Sequence, residues 1–455
     1  DLARRKLIPA LWHLHRTHML PPRFRVIGFA RRSFTTEEIR SFVQNALQTS
    51  LGGEVKGVED FLRLFTYQQG HFDEVDKYHA LARSVTAEMH SLGAPSSVLF
   101  YLAVSPAHYD AVFESLSSSG LASSSPAAKT STRILVEKPF GRDIETAQAL
   151  DKKLGALFKE EQIYRIDHYL AKETVQNILN FRFSNFIFEP IWNKSGIEKV
   201  HIELLETLGM EGRGAFYRDV GALRDVGQNH MLQLLAMVAM GNPGTFDAAH
   251  IRAKRAAVLS RLCPLTNKEE NVVRGQYEGF IDEASGEAGL ETETYFKLKA
   301  FLNDPVWENV PFILESGKRM SEDRTRITVY FKHATHTLCP VDSDSGCQNV
   351  LRFEIKPREG ITICFWAKKP GFSQEIEERT FHFDYRDATR NDRIPDAYER
   401  VLYDGIRGDQ TLFASTDEVQ AAWRFITPIV REWHTLPLGL YAPGTPGPAT
   451  RTAIL

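Results

Sequence analysis

Ser97-Val98-Leu99-Phe100-Tyr101-Leu102-Ala103 is a near-continuous apolar run in a chain of 455 residues. A run this short, rich in branched and aromatic side chains, reads as a strand buried on both faces. Helical patterns flank it at 76–92 and 106–116. The alternation continues outward in both directions. The segment 3–19 reads as a helix, with Leu7, Leu11 and Leu14 on one stripe. A short buried strand follows at 23–29, a helix at 37–49 and a strand or loop at 61–67. On the other side come a Ser/Ala-rich surface loop at 117–132, a buried strand at 133–137 and a helix at 143–157. Apolar strands alternating with helices predict a parallel, doubly wound α/β sheet.

After about residue 175 the pattern changes. Helices cluster within 207–263, and strands are then expected at 271–280, 292–301, 310–315, 325–332, 349–356, 360–367 and 379–385. Arg352-Phe353-Glu354-Ile355-Lys356 alternates polar and apolar, which predicts a mostly antiparallel sheet with one face buried. Two helices close the pattern at 396–406 and 415–433. The second is opened by a Ser415…Glu418 capping box and bent at Pro428. The Pro/Gly-rich stretch 437–448 is expected to be extended. The domain expectation is therefore 1–166 as a dinucleotide-binding α/β domain and 167–455 as a β+α domain.

A formal net charge of −3 gives no basic field, so nucleic acid is not an expected partner. Cys263, Cys339, Cys347 and Cys364 are scattered and form no CxxC pair. Neither a disulfide framework nor a metal site is expected. A reducing, cytoplasmic compartment fits, with a peroxisome-like organelle as the alternative. The longest apolar helical run, 231–240, is too short to cross a bilayer, so no membrane partner is expected.

Three constellations carry chemistry, the first of them made of two strand ends. The strand Val26-Ile27-Gly28-Phe29 ends in Ala30-Arg31-Arg32-Ser33. In a dinucleotide fold an acidic residue at this strand end takes the ribose 2′-hydroxyl of NAD, and arginine takes the 2′-phosphate of NADP. A solvated basic turn is the plain alternative. No glycine fingerprint precedes Asp1-Leu2-Ala3, so the first strand and its glycine turn are expected upstream of Asp1. Lys138, in Glu137-Lys138-Pro139-Phe140-Gly141, follows a buried strand at the edge where ligands bind in open α/β sheets; an ordinary strand-ending lysine has the same pattern.

The second constellation is Arg165-Ile166-Asp167-His168-Tyr169-Leu170-Ala171-Lys172-Glu173. On a helix, His168 and Lys172 share a face. With Tyr169 beside them they suit a phosphate, while Asp167 points elsewhere for a different task. Exposed, solvated charge is an equally weighted reading. The third is Arg224-Asp225-Val226-Gly227-Gln228-Asn229-His230, which leads into the apolar run. A histidine at the entry of a buried helix suits a general base near neutral pH, and a carboxylate such as Asp167 would fix its tautomer. A satisfied core histidine is the alternative. Glu206, Asp225 and Lys318, taken singly, read as surface charge.

Together these segments resemble the glucose-6-phosphate dehydrogenase family. The resemblance rests on the nine residues 165–173 and on Val136-Glu137-Lys138-Pro139-Phe140-Gly141-Arg142-Asp143, Ile191-Trp192-Asn193, Glu211-Gly212-Arg213-Gly214 and Arg224-Asp225-Val226. It rests also on Gln228-Asn229-His230, Val310-Pro311-Phe312-Ile313-Leu314, Lys368-Lys369-Pro370-Gly371 and Pro395-Asp396-Ala397-Tyr398-Glu399-Arg400. These occur in family order along essentially the whole chain. The resemblance implies a Rossmann-like NADP-binding domain and a substrate-binding and dimerisation domain, in a homodimer or homotetramer. It implies oxidation of glucose 6-phosphate at C1 to the 6-phosphoglucono-1,5-lactone with hydride passing to NADP. It casts His230 as the base and Asp167 as its orienting partner. His168, Tyr169 and Lys172 would hold the phosphate, and Lys138 would reach sugar and nicotinamide. Glu206, Asp225 and Lys318 would take sugar hydroxyls, and Leu2, Ala3, Arg4, Arg31, Tyr67, Tyr109 and Lys138 would face the cofactor. Animal members hold a second, structural NADP near the large sheet. Here Glu315, Glu354 and Cys364 stand where Arg, Arg and Lys are expected, so that second site is expected to be absent or weak. Asp323 and Lys356 stand where animal members have Arg and Gln.

Overall fold

Fifteen strands organise the described residues: β1 Val26–Ala30, β2 Phe65–Gln69, β3 Val98–Leu102, β4 Thr132–Val136, β5 Ile163–Ile166, β6 Ile197–Leu205, β7 Val272–Tyr277, β8 Tyr295–Ala300, β9 Phe312–Gly317, β10 Arg324–Phe331, β11 Val350–Lys356, β12 Gly360–Lys368, β13 Ile376–Asp384, β14 Phe413–Ala414 and β15 Leu438–Tyr441. The structure is a computed structural model that describes residues 2–93, 96–122, 132–210, 212, 214–284, 290–333, 347–388 and 393–454. Residues 123–131 of the expected Ser/Ala loop, Glu211 and Arg213 of the quoted motif, and Cys339 lie outside that set.

The chain forms two compact units, Asp1–Gly141 with Glu145–Ala171 and Pro395–Thr416, and Arg142–Ile144 with Lys172–Ile394 and Asp417–Leu455. In the first unit β1 pairs in parallel with β2, and β3, β4 and β5 form a parallel run. Ile134, Leu135 and Val136 of β4 are wholly buried, as a strand covered on both faces requires. The helices between the strands are cut where local chemistry directs. Thr35 and Glu38 form a reciprocal capping box at the start of Thr36–Leu51, and Gly52 ends that helix in the left-handed region at φ 74°; both are the expected terminators. The returning segment 395–416 completes this unit. Its strand β14 adds antiparallel to β5, Phe413 opposite Ile166, and Arg165 is buried in ion pairs with Asp151 at 2.8 Å and Glu160 at 3.0 Å and donates to Thr416 Oγ1 at 2.5 Å.

The second unit is built on a nine-stranded sheet of order β13-β12-β11-β10-β6-β9-β8-β7-β15. Only β6/β9 and β7/β15 are parallel pairs. The alternation read in β11 is real: Leu351, Phe353 and Ile355 are buried, while Arg352, Glu354 and Lys356 face the other way, part-exposed. Strand β6 has no counterpart among the expected strands. Its sequence, Ile-Glu-Lys-Val-His-Ile-Glu-Leu-Leu, places charge at alternate positions, and those charges find partners across the sheet.

Two further expectations are corrected. Residues 165–172 are not helical. Arg165 and Ile166 continue β5, the chain turns through 167–171, and helix begins only at Glu173. The reason is local: the Asp167 carboxylate accepts the Tyr169 N–H at 3.0 Å, and its carbonyl accepts the Leu170 N–H at 3.1 Å. An aspartate that captures a nearby backbone N–H competes with helix. Cys347 is disulfide-bonded, although no disulfide framework was expected; Cys263 and Cys364 are free. Scattered spacing shows only that there is no framework; a single pairing leaves no such signal.

Candidate active site

In the first unit, the strand ends carry the polar groups. Gly28 lies opposite Tyr67 in the β1/β2 register, and a Cβ there would press on the Tyr67 ring at 3.0 Å, so glycine eases this close approach. Tyr67 then donates to the Ala30 carbonyl at 2.8 Å and to that of Arg32, while Gln69 Nε2 donates to the Arg31 carbonyl at 3.1 Å. The basic turn is thereby tied down through its carbonyls, and the Arg31 side chain is exposed. An exposed guanidinium on a fixed backbone, with no acidic residue in Ala30-Arg31-Arg32-Ser33, fits the 2′-phosphate of NADP. Leu2, Ala3 and Arg4 stand at the start of the first helix; Arg4 donates to Thr49 Oγ1 at 3.2 Å.

Past β4, Lys138 is half-buried and precedes a cis Pro139. The residue before it is anchored on three sides. Tyr109 is buried and donates to the Glu137 carbonyl at 2.9 Å, and Tyr101 donates to the Glu137 carboxylate. Tyr398, on the helix Ala397–Arg407 of the returning segment, also hydrogen-bonds that carboxylate. Burial pushes the Glu137 carboxyl up, against the Tyr101 hydrogen bond and the Lys138 charge. At the next strand end, Asp167 is 3% exposed. His168 and Tyr169 are half-buried, ring to ring at 5.0 Å, and His168 stacks on Tyr398 at 6.2 Å and 15°. Tyr398 therefore links the Lys138 turn to the His168 turn, a role that the sequence pattern did not suggest because Tyr398 lies some 230 residues downstream.

In the second unit, Lys172 is the residue before helix Glu173–Ser184. That helix start is already satisfied: Glu359 accepts from Thr174 N at 2.9 Å and Thr174 Oγ1 at 3.2 Å. Glu206 and Lys318 sit at the ends of β6 and β9 and form an ion pair, with the Lys318 side chain 10% exposed. Beside them Asp323 accepts from Thr207 N and Oγ1, each at 3.2 Å, and from Lys356 at 3.3 Å. Asp225 and His230 share the π-helical stretch Leu223–Met231, which continues directly into Leu232–Ala239, every residue of which is buried. His230 is 1% exposed. Tyr217 is a further polar group here. Among the described residues its buried hydroxyl has no hydrogen-bond partner, and it is pushed well up by burial and by the nearby Asp225, Glu293 and Glu206.

The chain matches the family model for the NAD-binding domain of glucose-6-phosphate dehydrogenase over residues 1–177 and the model for its C-terminal domain over 179–455. The chain belongs to the glucose-6-phosphate dehydrogenase family. It is 38% identical to the glucose-6-phosphate 1-dehydrogenase of Borreliella burgdorferi, over 100% of this chain and 94% of that one. It is 36% identical to a cytoplasmic glucose-6-phosphate 1-dehydrogenase 5 of Arabidopsis thaliana, over 100% of this chain and 89% of that one. A solved glucose-6-phosphate dehydrogenase in complex with its substrate glucose 6-phosphate superposes with a TM-score of 0.91 at 30% identity, covering 99% of this chain and 93% of that one.

Within this family chain, the centre of the nine-stranded sheet carries a charge cluster. Glu203 and Glu315 are register partners on β6 and β9. Glu203 pairs with Arg324 at 2.6 Å and Arg326 at 2.7 Å. Glu315 accepts from Tyr295 at 2.8 Å and contacts His201 at 3.0 Å and Lys297 at 3.7 Å. Burial alone would raise the Glu315 carboxyl; the His201 contact, Lys297 and Tyr295 outweigh it and hold it at about 2. His201, Glu203 and Glu315 lie close enough together to hold a metal ion, yet their carboxylates are engaged by Arg324, Arg326, Tyr295 and Lys297, which argues against a cation there.

Proposed function

We infer that this chain oxidises D-glucose 6-phosphate at C1 to 6-phospho-D-glucono-1,5-lactone, the first step of the oxidative pentose phosphate pathway, with NADP+ as the hydride acceptor. The observation that carries the reading is family membership over the whole chain together with a histidine, His230, locked at 1% exposure on a buried helix. Loss of hydride from C1 requires loss of the hydroxyl proton, so a positioned base is needed. His230 takes that proton, and Asp167 orients the imidazole and stabilises its cationic form. His168, Tyr169 and Lys172 hold the phosphate, and this remote anchoring orients C1. Glu206, Asp225 and Lys318 bind sugar hydroxyls. Lys138 serves both substrate and cofactor.

On the cofactor side, Arg31 takes the 2′-phosphate, and Leu2, Ala3, Arg4, Tyr67 and Tyr109 line the nucleotide. The division of labour follows 1–166 for the nucleotide and 167–455 for substrate and self-association, as a homodimer or homotetramer in the cytoplasm. The face around Glu315 takes no second dinucleotide, because a carboxylate held ionised would oppose a phosphate. The test is NADPH formation, followed by absorbance, with glucose 6-phosphate and with glucose. Strong preference for the phosphorylated sugar is expected, and equal kcat/KM for the two would overturn the reading.

A further inference from the structure

The helical segment 223–239 carries Asp225 and His230, and both of its ends are held by buried side chains with no role above. The last carbonyls of a helix have no partner within it. Met240 N–H still reaches the Ala236 carbonyl at 2.9 Å, so the carbonyls of Met237, Val238 and Ala239 are left over. Each accepts one side-chain hydrogen bond at 2.9 Å, from Arg182 Nη1, Trp192 Nε1 and Trp307 Nε1 respectively. All three donors are buried. The Arg182 guanidinium lies 4.6 Å from the Phe183 ring and 5.2 Å from the Trp192 ring. Among the described residues it forms no ion pair. A buried cation without a carboxylate is costly, and burial lowers its pKa to about 9. The negative end of a helix is the place where such a cation recovers part of that cost.

The opposite end mirrors this. Glu293 is 4% exposed. Its carboxylate accepts the Leu223 N–H at 2.9 Å and Trp433 Nε1 at 2.7 Å, and its backbone carbonyl accepts the Ala222 N–H at 3.0 Å. Gly221 has φ 73°, and a Cβ there would come within 2.4 Å of the Glu293 carboxylate. The acid thus reaches the positive helix end because glycine leaves room. Between the two clamps runs a nine-residue π-helical stretch. Wide π turns are rare and occur mostly as single-turn bulges, so a stretch this long depends on outside support for its shape.

We propose that Arg182, Trp192 and Trp307 at one end, and Glu293 at the other, are positioning residues that set the height and rotation of His230. The proposal rests on His230 being the base. It identifies four residues whose side chains do not touch the reacting atoms yet control how well the proton is taken. Misplacement by about 1 Å costs on the order of 100-fold in rate.

The test uses the full chain with glucose 6-phosphate and NADP+, comparing ordinary with C1-deuterated substrate. Arg182→Met and Glu293→Gln are expected to lower kcat about 10- to 100-fold, and Trp192→Phe and Trp307→Phe, which keep an aromatic ring but remove the indole N–H, about 2- to 10-fold. KM for glucose 6-phosphate stays within about twofold, since the phosphate contacts are untouched. The primary isotope effect rises, because the chemical step becomes more limiting. Arg182→Lys, still able to donate to Met237, recovers part of the loss. A merely structural role would lower the folded fraction or thermal stability and leave the isotope effect and the turnover per folded molecule at wild-type values, and that result overturns the proposal. If Arg182→Met does not fold, the two Trp→Phe variants decide. His230→Asn in the same assay separates the two readings. Full turnover there sinks the base assignment, whereas an inactive His230→Asn beside unaffected clamp variants sinks only the clamp.

Discussion

Asp167 and His230 are 3% and 1% exposed, but the backbone brings them into place by different means. Asp167 stands on a turn of its own making, with its carboxylate holding the Tyr169 N–H and its carbonyl the Leu170 N–H. Its neighbours His168 and Tyr169 share that turn. His230 also has a local contact, its N–H donating to Asn229 Oδ1 at 2.6 Å, but no turn is built on it. It sits within a long helical segment whose ends are fixed by residues from elsewhere in the chain. A turn aims its side chains through contacts two or three residues away, so damage there is expected to stay local, at Asp167 and its neighbours. A helix transmits, so changes several turns away fall on the rate.

The largest expected effect tests the helix side. His230→Asn is expected to reduce kcat by about 10²- to 10⁴-fold, the usual contribution of a general base, with KM for glucose 6-phosphate little changed; near-normal NADPH formation would break the comparison at its centre. Next in size is the helix that backs this segment. Helix Ala248–Ser260 packs on Leu232–Ala239, and its Arg255 forms an ion pair with Glu418 at 2.7 Å in which both side chains are 0% exposed. Glu418→Ala leaves that guanidinium without its carboxylate and is expected to destabilise by about 3–5 kcal/mol, read from denaturant unfolding. A loss under 1 kcal/mol would show that the support is looser than the burial implies.

The turn side is probed by Lys172→Thr. Removing a charged donor to the phosphate is worth about 1.5–3 kcal/mol, so KM for glucose 6-phosphate should rise about 10- to 100-fold with kcat held, and KM for glucose should not move. Equal changes for both sugars would show that Lys172 does not read the phosphate. The smallest effect lies in the sheet. Burial would raise the Glu315 carboxyl, but His201, Lys297 and Tyr295 hold it at about 2, below its ordinary value of 4.5. A depressed carboxyl stabilises the fold above its unfolded pKa and loses that contribution as pH falls through the folded one. The contribution should be fully present above about pH 4.5 and gone near pH 2. The stability gap between wild type and Glu315→Gln should close across that window, and a constant gap would refute it.

Most of this architecture was legible in the sequence where burial leaves a pattern. Ile134, Leu135 and Val136 are apolar because both faces of β4 are covered, and β11 alternates because one face is. Strand β6 was not legible, because Glu198, Lys199, His201 and Glu203 make it look polar; its charges are met by β9 and β10 and, at Glu198, by Gln348 and His333, far along the chain. The nine residues 165–173 stand out for their chemistry, but their spacing suggested a helix where the structure has a strand end and a turn. Spacing of four fits a helix, but the spacing does not reveal that Asp167 uses its carboxylate on the backbone. Arg182 and Glu293 gave no signal at all, and Tyr398 stood out only as part of the 395–400 motif, since each acts through a carbonyl, a ring or an N–H that only the fold supplies.

The segment Pro395–Thr416 has a consequence for biosynthesis. It belongs to the first unit, where β14 pairs with β5 and Thr416 meets Arg165, yet roughly 220 residues of the other unit are translated before it. At about 5–20 residues per second, the N-terminal unit waits some 10–45 s on the ribosome, with β5 exposed along one edge. A premature stop anywhere before residue 395 therefore leaves the first-made part of the protein unfinished as well as the last.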